Sequence, residues 1–126
     1  MDRKNIFSGT PWEQQVGYCR AVRVGHMVWV AGTTAMNGDQ LVGLGSAYLQ
    51  ARFIFEKIGK ALEEAGSSLA QVVRTRMYVT DISVWEEVGR AHGEVFAGIF
   101  PAATLVEVKG LVDPDLLVEI EVDAVA

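Results

Sequence analysis

The spacing of apolar residues changes several times along the chain, and each change predicts a different element. Residues 4–8 can open the fold as a short strand. Ala21-Val22-Arg23-Val24 alternates, Gly25-His26 reads as a turn, and Met27-Val28-Trp29-Val30-Ala31 is almost wholly apolar. Residues 19–24 and 27–32 are therefore expected to pair as a hairpin. A strand that is apolar at successive positions needs cover on both faces. A helix layer can supply one cover, and a second subunit would supply the other.

Three glycines, Gly38, Gly43 and Gly45, punctuate the stretch from Thr33 to Ser46, with Asn37-Gly38 as a turn signal. Ala47, Ala51, Ile54, Phe55, Ile58, Ala61, Leu62 and Ala65 then recur at helical spacing, and Gly66 is placed to stop the helix. Gly43-Leu44-Gly45 lacks the third glycine of a phosphate-cradling loop, so these are read as turn glycines. A strand follows from Val73 to Thr80. Its alternation puts Val73, Thr75, Met77 and Val79 on one side and Arg74, Arg76, Tyr78 and Thr80 on the other.

Ser83 and Glu86 have the spacing of a capping box, which predicts the start of a second helix. That helix is expected to bury Trp85, Val88, Val95, Phe96 and Ile99, with Pro101 at or just beyond its end. Thr104 to Val108 is a short strand, and Asp113-Pro114 makes a turn. Leu117 to Val125 alternates cleanly, with Val118, Ile120, Val122 and Ala124 facing one way and Glu119, Glu121 and Asp123 the other. The expected architecture is a single α+β domain over residues 1–126, with two helices packed on one face of a mixed sheet. The opposite face reads as too apolar for water and is expected to be buried by self-association.

Composition narrows the setting. Half the residues are hydrophobic, enough for a core without metal or disulfides, and the single Cys19 rules out an intrachain disulfide. Cys19 reads as a small core filler rather than a nucleophile. A net charge of −5 argues against a nucleic-acid partner. The charged N-terminus and the lack of a long apolar run predict a cytoplasmic protein with no membrane association.

Candidate chemistry is sparse. The stripe Glu119, Glu121, Asp123 is in part a solvated strand face, and a general base among them would need a cleft. His92 lies on the apolar face of the second helix, where a histidine packs as core with one nitrogen satisfied; its other reading is a pocket residue. His26 belongs to the hairpin turn, so no second histidine or cysteine stands at ligand spacing, and no metal or cofactor is expected. Tyr18, after Val16-Gly17 and just before a strand, could line a pocket mouth. The residues by themselves lead to a ligand pocket of open chemistry.

Several segments, in order, carry a resemblance. They are Gly17-Tyr18-Cys19-Arg20-Ala21-Val22, Val30-Ala31-Gly32-Thr33-Thr34, residues 66–73 (GSSLAQVV), Tyr78-Val79-Thr80-Asp81, residues 100–108 (FPAATLVEV) and Val118-Glu119-Ile120-Glu121. Together they resemble the Rid (YjgF-type, endoribonuclease L-PSP-like) family of reactive-intermediate deaminases. The resemblance implies a chorismate-mutase-like α+β fold and a homotrimer whose sheets form a central barrel, with small-molecule metabolites bound in the clefts between subunits. It implies catalytic roles for Glu119, which positions a water, and Tyr18, which closes the pocket. Gly32, Thr33, Ala103, Thr104, Leu105 and His92 would line the ligand.

In deaminase members an arginine following Pro-Ala grips the substrate carboxylate. Here that position is Ala103, with Leu105 beside it. A guanidinium fork makes two charge-assisted bonds to a carboxylate, and alanine makes none. Arg20, Arg76 and Lys109 are the candidate replacements. The second route, preferred on the sequence, is a less acidic ligand with the Ala103 and Leu105 surface reshaped for it. The expected function is hydrolysis of an imine or enamine to a carbonyl compound and ammonia. The alternatives are a non-catalytic metabolite-binding or chaperone-like trimer and, further off, an endoribonuclease.

Overall fold

The computed structural model describes residues 2–126. Strand β1 (Arg3–Ile6) and the short helix α1 (Pro11–Val16) lead into a hairpin of β2 (Ala21–Val24) and β3 (Met27–Thr33). A small ribbon, β4 (Met36–Asn37) with β5 (Gln40–Leu41), precedes the long helix α2 (Ala47–Glu64). Strand β6 (Val72–Val79), helix α3 (Trp85–Val95), β7 (Ala102–Glu107) and β8 (Val118–Val125) complete the chain. The six long strands form one sheet in the order β1-β2-β3-β8-β6-β7. Only β6 and β7 run parallel, joined through α3. No helix is long and apolar enough to cross a membrane.

Helices α2 and α3 cover one face. Ile54, Phe55, Ile58 and Leu62 of α2 and Val88 and Ala91 of α3 pack on Val118, Ile120, Val122 and Ala124 of β8, all of them buried. Helix α2 begins at Ser46, whose Oγ accepts from the Leu49 amide at 3.1 Å. It ends in a left-handed Gly66 (φ 85°), with Ser67 N donating to Leu62 O and Gly66 N to Glu63 O. This paired 6→1 and 5→2 pattern satisfies carbonyls the helix leaves free. Two cations from the sheet take others: Arg23 Nη1 donates to Ala65 O and Lys4 Nζ to Glu64 O.

Four expectations need correction. Val73 does not share a side with Thr75, Met77 and Val79. A bulge between Val72 and Arg74 pushes it out, and it is 44% exposed. The Ser83–Glu86 capping box is absent: Asp81 accepts from Ser83 N and starts a 3-10 turn (Ile82–Val84) that delays α3 to Trp85. With that shift Trp85 is 54% exposed rather than buried. The uncovered sheet face is also more polar than its apolar strands suggested, because Arg76, Tyr78, Glu119, Glu121 and Asp123 share it with Trp29.

Candidate active site on the open face of the sheet

The pleat of β8 decides which carboxylates can act. Glu119, Glu121 and Asp123 all point away from the helices, but two of them are engaged. Tyr78 Oη donates to Glu121 Oε1 at 2.5 Å, and Arg76 Nη1 lies 3.3 Å from Asp123 Oδ2 and 3.9 Å from Glu121 Oε1. The Glu121 bond, aided by burial, raises the Tyr78 phenol above its ordinary range. Glu119 differs. It is half-buried, and among the described residues its carboxylate accepts no hydrogen bond and forms no ion pair. Burial pushes its pKa up, Arg20 opposes that rise, and the Glu121 charge adds to it.

The position of Glu119 depends on a bulge in its neighbour. Between Val30, opposite Val122, and Thr33, opposite Ile120, strand β3 carries one extra residue. Gly32 lies in that irregularity with the Glu119 carboxylate over its α-carbon. A Cβ built there would fall 2.1 Å from Glu119 Oε2. Gly32 is needed for close approach, not for a left-handed backbone. Thr33, also in the bulge, is buried and donates its hydroxyl to Ala31 O at 2.8 Å. Lys57 of α2 fixes the segment beyond the bulge by donating to Thr34 O and Met36 O at 3.0 and 2.7 Å.

Arg20 completes this side. Its backbone pairs with Ile6 and Ala31, and its Nη2 donates to Gly32 O at 2.6 Å. Its Nε is buried without a partner among the described residues. The Tyr18 ring centre lies 6.0 Å from the guanidinium carbon. Tyr18 is 37% exposed and is set by Gly17 (φ 84°), which ends α1. Glu119, Gly32, Arg20 and Tyr18 thus form one linked group.

The remaining residues lie elsewhere. Ala103 stands opposite Thr75 and Leu105 opposite Met77, so both share the helix side of the sheet at its outer edge. Thr104, opposite Arg76, faces the open side. His92 bonds through Nε2 to Thr75 Oγ1 at 2.8 Å and packs on Phe55 and Phe96 at ring separations of 5.9 and 4.7 Å. Burial lowers its pKa by disfavouring the charged ring. His92 therefore occupies the core position its helix face predicted. Within the chain the sheet separates His92, Ala103 and Leu105 from Glu119, Gly32 and Tyr18. Of the candidate cations, Arg76 is held by two carboxylates, Lys109 is exposed beyond β7, and only Arg20 adjoins Glu119.

Sequence reasoning gave Lys57 no role. Its partners lie 23 and 21 residues away, and nothing in the helix pattern marks a polar-face lysine as a loop anchor.

Residues 11–126 match the family model described as endoribonuclease L-PSP. An uncharacterized protein of Streptomyces coelicolor is 41% identical over 96% of this chain and 90% of its own length. The 3-aminoacrylate deaminase RutC of Acinetobacter baylyi is 32% identical, with 82% of each chain covered. The crystal structure of a YjgF family member from Mycobacterium tuberculosis superposes with a TM-score of 0.89 at 49% identity, over 99% of this chain and all of that one. The fold, the ordered segments and these relatives agree: the chain belongs to the endoribonuclease L-PSP family, the Rid or YjgF proteins.

Proposed function

We propose that the protein is a small-molecule-binding member of this family that hydrolyses a reactive imine or enamine, with Glu119 activating the water. The observation that carries the reading is Glu119 itself, half-buried, packed over Gly32 and, among the described residues, without a hydrogen-bond partner for its carboxylate. A carboxylate whose pKa is raised is a stronger base and can take a proton from water and return it. The relative named as a 3-aminoacrylate deaminase acts on an enamine, which supports this reaction class.

The steps balance as follows. The water oxygen bonds to the imine carbon, the C=N π pair moves to nitrogen, and Glu119 passes the water proton to that nitrogen. The resulting carbinolamine loses its hydroxyl proton to Glu119. The C–N bond then breaks, nitrogen regains the proton, and ammonia and a carbonyl compound leave. An enamine enters the same path after protonation at carbon.

The cleft in this reading is shared between copies of a homotrimer, with β7 of one protomer facing Glu119 of the next. Two features support that: the sheet separates the two halves of the expected site, and Trp29 is 42% exposed on the open face. Ala103, where a carboxylate-gripping arginine would stand, favours a second reading, a trimer that binds a metabolite without turnover.

Imines generated in solution by an amino-acid oxidase test both. Added protein should accelerate carbonyl formation, and Glu119→Gln should lower that rate by about 10²–10⁴-fold, the usual range for a lost general base. Saturable binding without acceleration supports the second reading. Acceleration unaffected by Glu119→Gln removes the role assigned to that residue.

A further inference from the structure

Near the open face, Arg20 adjoins Glu119 and keeps guanidinium donors unused. One amino group of the fork is fixed on Gly32 O at 2.6 Å, and Nε is buried without a partner among the described residues. A buried guanidinium N–H without an acceptor is costly, and such a group commonly marks a missing water or ligand. Glu119 does not fill the gap, since no ion pair within 4.0 Å joins it to Arg20. The two side chains instead flank one residue, Arg20 on the Gly32 carbonyl and Glu119 over its α-carbon.

We propose that Arg20 is the anion-recognition residue of this cleft and takes the carboxylate of a small imine or enamine acid beside Glu119. The proposal rests on the cleft being the ligand site and goes beyond it by assigning the ligand a negative charge. The charge is read from the β2–β3 side of the sheet rather than from β7, where Ala103 offers no donor. Being held at Gly32 limits the side-chain freedom Arg20 loses on binding.

The surroundings set a further condition. Arg20 and Glu121 act on Glu119, and Glu119 also acts on Tyr78 of β6. Lys57 of α2 and Glu13 of α1 sense Arg20 in turn. A carboxylate arriving beside Arg20 meets the like charge of Glu119, so removing that charge should favour uptake.

Pyruvate and its uncharged amide, pyruvamide, are suitable probes, titrated into the intact protein at pH 7 and low salt with calorimetric or ligand-observed NMR detection. Wild type should bind pyruvate saturably and about tenfold or more tightly than pyruvamide, the scale of one charge-assisted contact. Arg20→Gln should erase that preference, Arg20→Lys should keep part of it, and Glu119→Gln should bind pyruvate at least as well as wild type. An unchanged melting temperature for Arg20→Gln, together with the Arg20→Lys result, separates loss of charge from loss of fold. Equal binding of the two probes, no saturable pyruvate binding by wild type, or a preference that survives in Arg20→Gln overturns the proposal. If Arg20→Gln erases the preference while Glu119→Gln leaves hydrolysis intact, the hydrolytic reading alone fails. The reverse pair of results removes only the role of Arg20.

Discussion

The two faces of the β6–β8 pair come from the same residues in alternation, yet they treat polar groups in opposite ways. On the helix face a prominent polar contact, His92 with Thr75, lies against Phe55 and Phe96, with Val122 opposite Thr75, and is a completed bond. On the open face Glu119 is half out of water with no hydrogen bond, two residues from Glu121, whose bond to Tyr78 is made. A polar group that is buried and satisfied holds the fold together. One that is partly desolvated and left unpaired is held ready for something outside the chain, because leaving it so costs stability that packing elsewhere must offset.

Substitutions on the two faces should therefore separate stability from activity. The largest stability effect is expected at Ile120, fully buried between the sheet and helices α2 and α3. Ile120→Ala should cost about 2–5 kcal/mol in denaturant unfolding. Its neighbour Glu119→Gln should change stability by less than about 0.5 kcal/mol despite its effect on turnover.

Gly32→Ala comes next. The new methyl would collide with the Glu119 carboxylate, the mobile end of a long side chain, so the fold can yield where the site cannot. Hydrolysis should fall roughly tenfold or more, as expected when a reacting group is displaced by about an ångström. Thermal stability should change little. A large loss of stability with activity retained would mean that Gly32 serves the bulge and not the carboxylate.

A stability effect smaller than that of Ile120→Ala belongs to the His92 contact. Thr75→Val keeps the shape but strands the imidazole nitrogen, at a cost of about 1–3 kcal/mol. The linkage with pH has a definite sign. Burial holds the folded pKa of His92 below its ordinary value of 6.5, so the unfolded chain binds the proton more readily. The stability this provides is present above that value and is lost as pH falls through the folded one. Glu119 has the opposite sign, its folded pKa being raised from 4.5, and it opposes the loss at lower pH. Denaturant unfolding between pH 7 and 5 should therefore show a decline that His92→Gln flattens.

Much of this comparison was legible in the sequence, since the alternation of Val118 to Asp123 assigns both faces. The stop of α2 at Gly66 and the hairpin turn at Gly25 were equally clear, because a left-handed position leaves a residue-level mark. What alternation cannot show is a shift of phase. The extra residues at Val73 and near Gly32 depend on pairing with a distant strand, and the first took Val73 off the side expected to hold Thr75, Met77 and Val79. Trp85 was misplaced for a related reason, as Asp81 captured the turn two residues ahead of Ser83, the predicted cap. Helix α1 went unread: at Pro11–Val16 it is too short to show periodicity, and it is held by Glu13 accepting from Ser8 and Gly9. Arg20 could be named as a candidate cation, but its bond to Gly32 and its open Nε are facts of three dimensions.

The most direct test is a carboxyl ¹³C NMR titration of Glu119, its resonance identified by its absence from Glu119→Gln. The midpoint should lie above 4.5 in the wild-type protein and move further up in Arg20→Gln, where the opposing cation is gone. A midpoint at or below 4.5, unmoved by loss of Arg20, would mean that Glu119 is an ordinary solvated strand residue and would contradict the account.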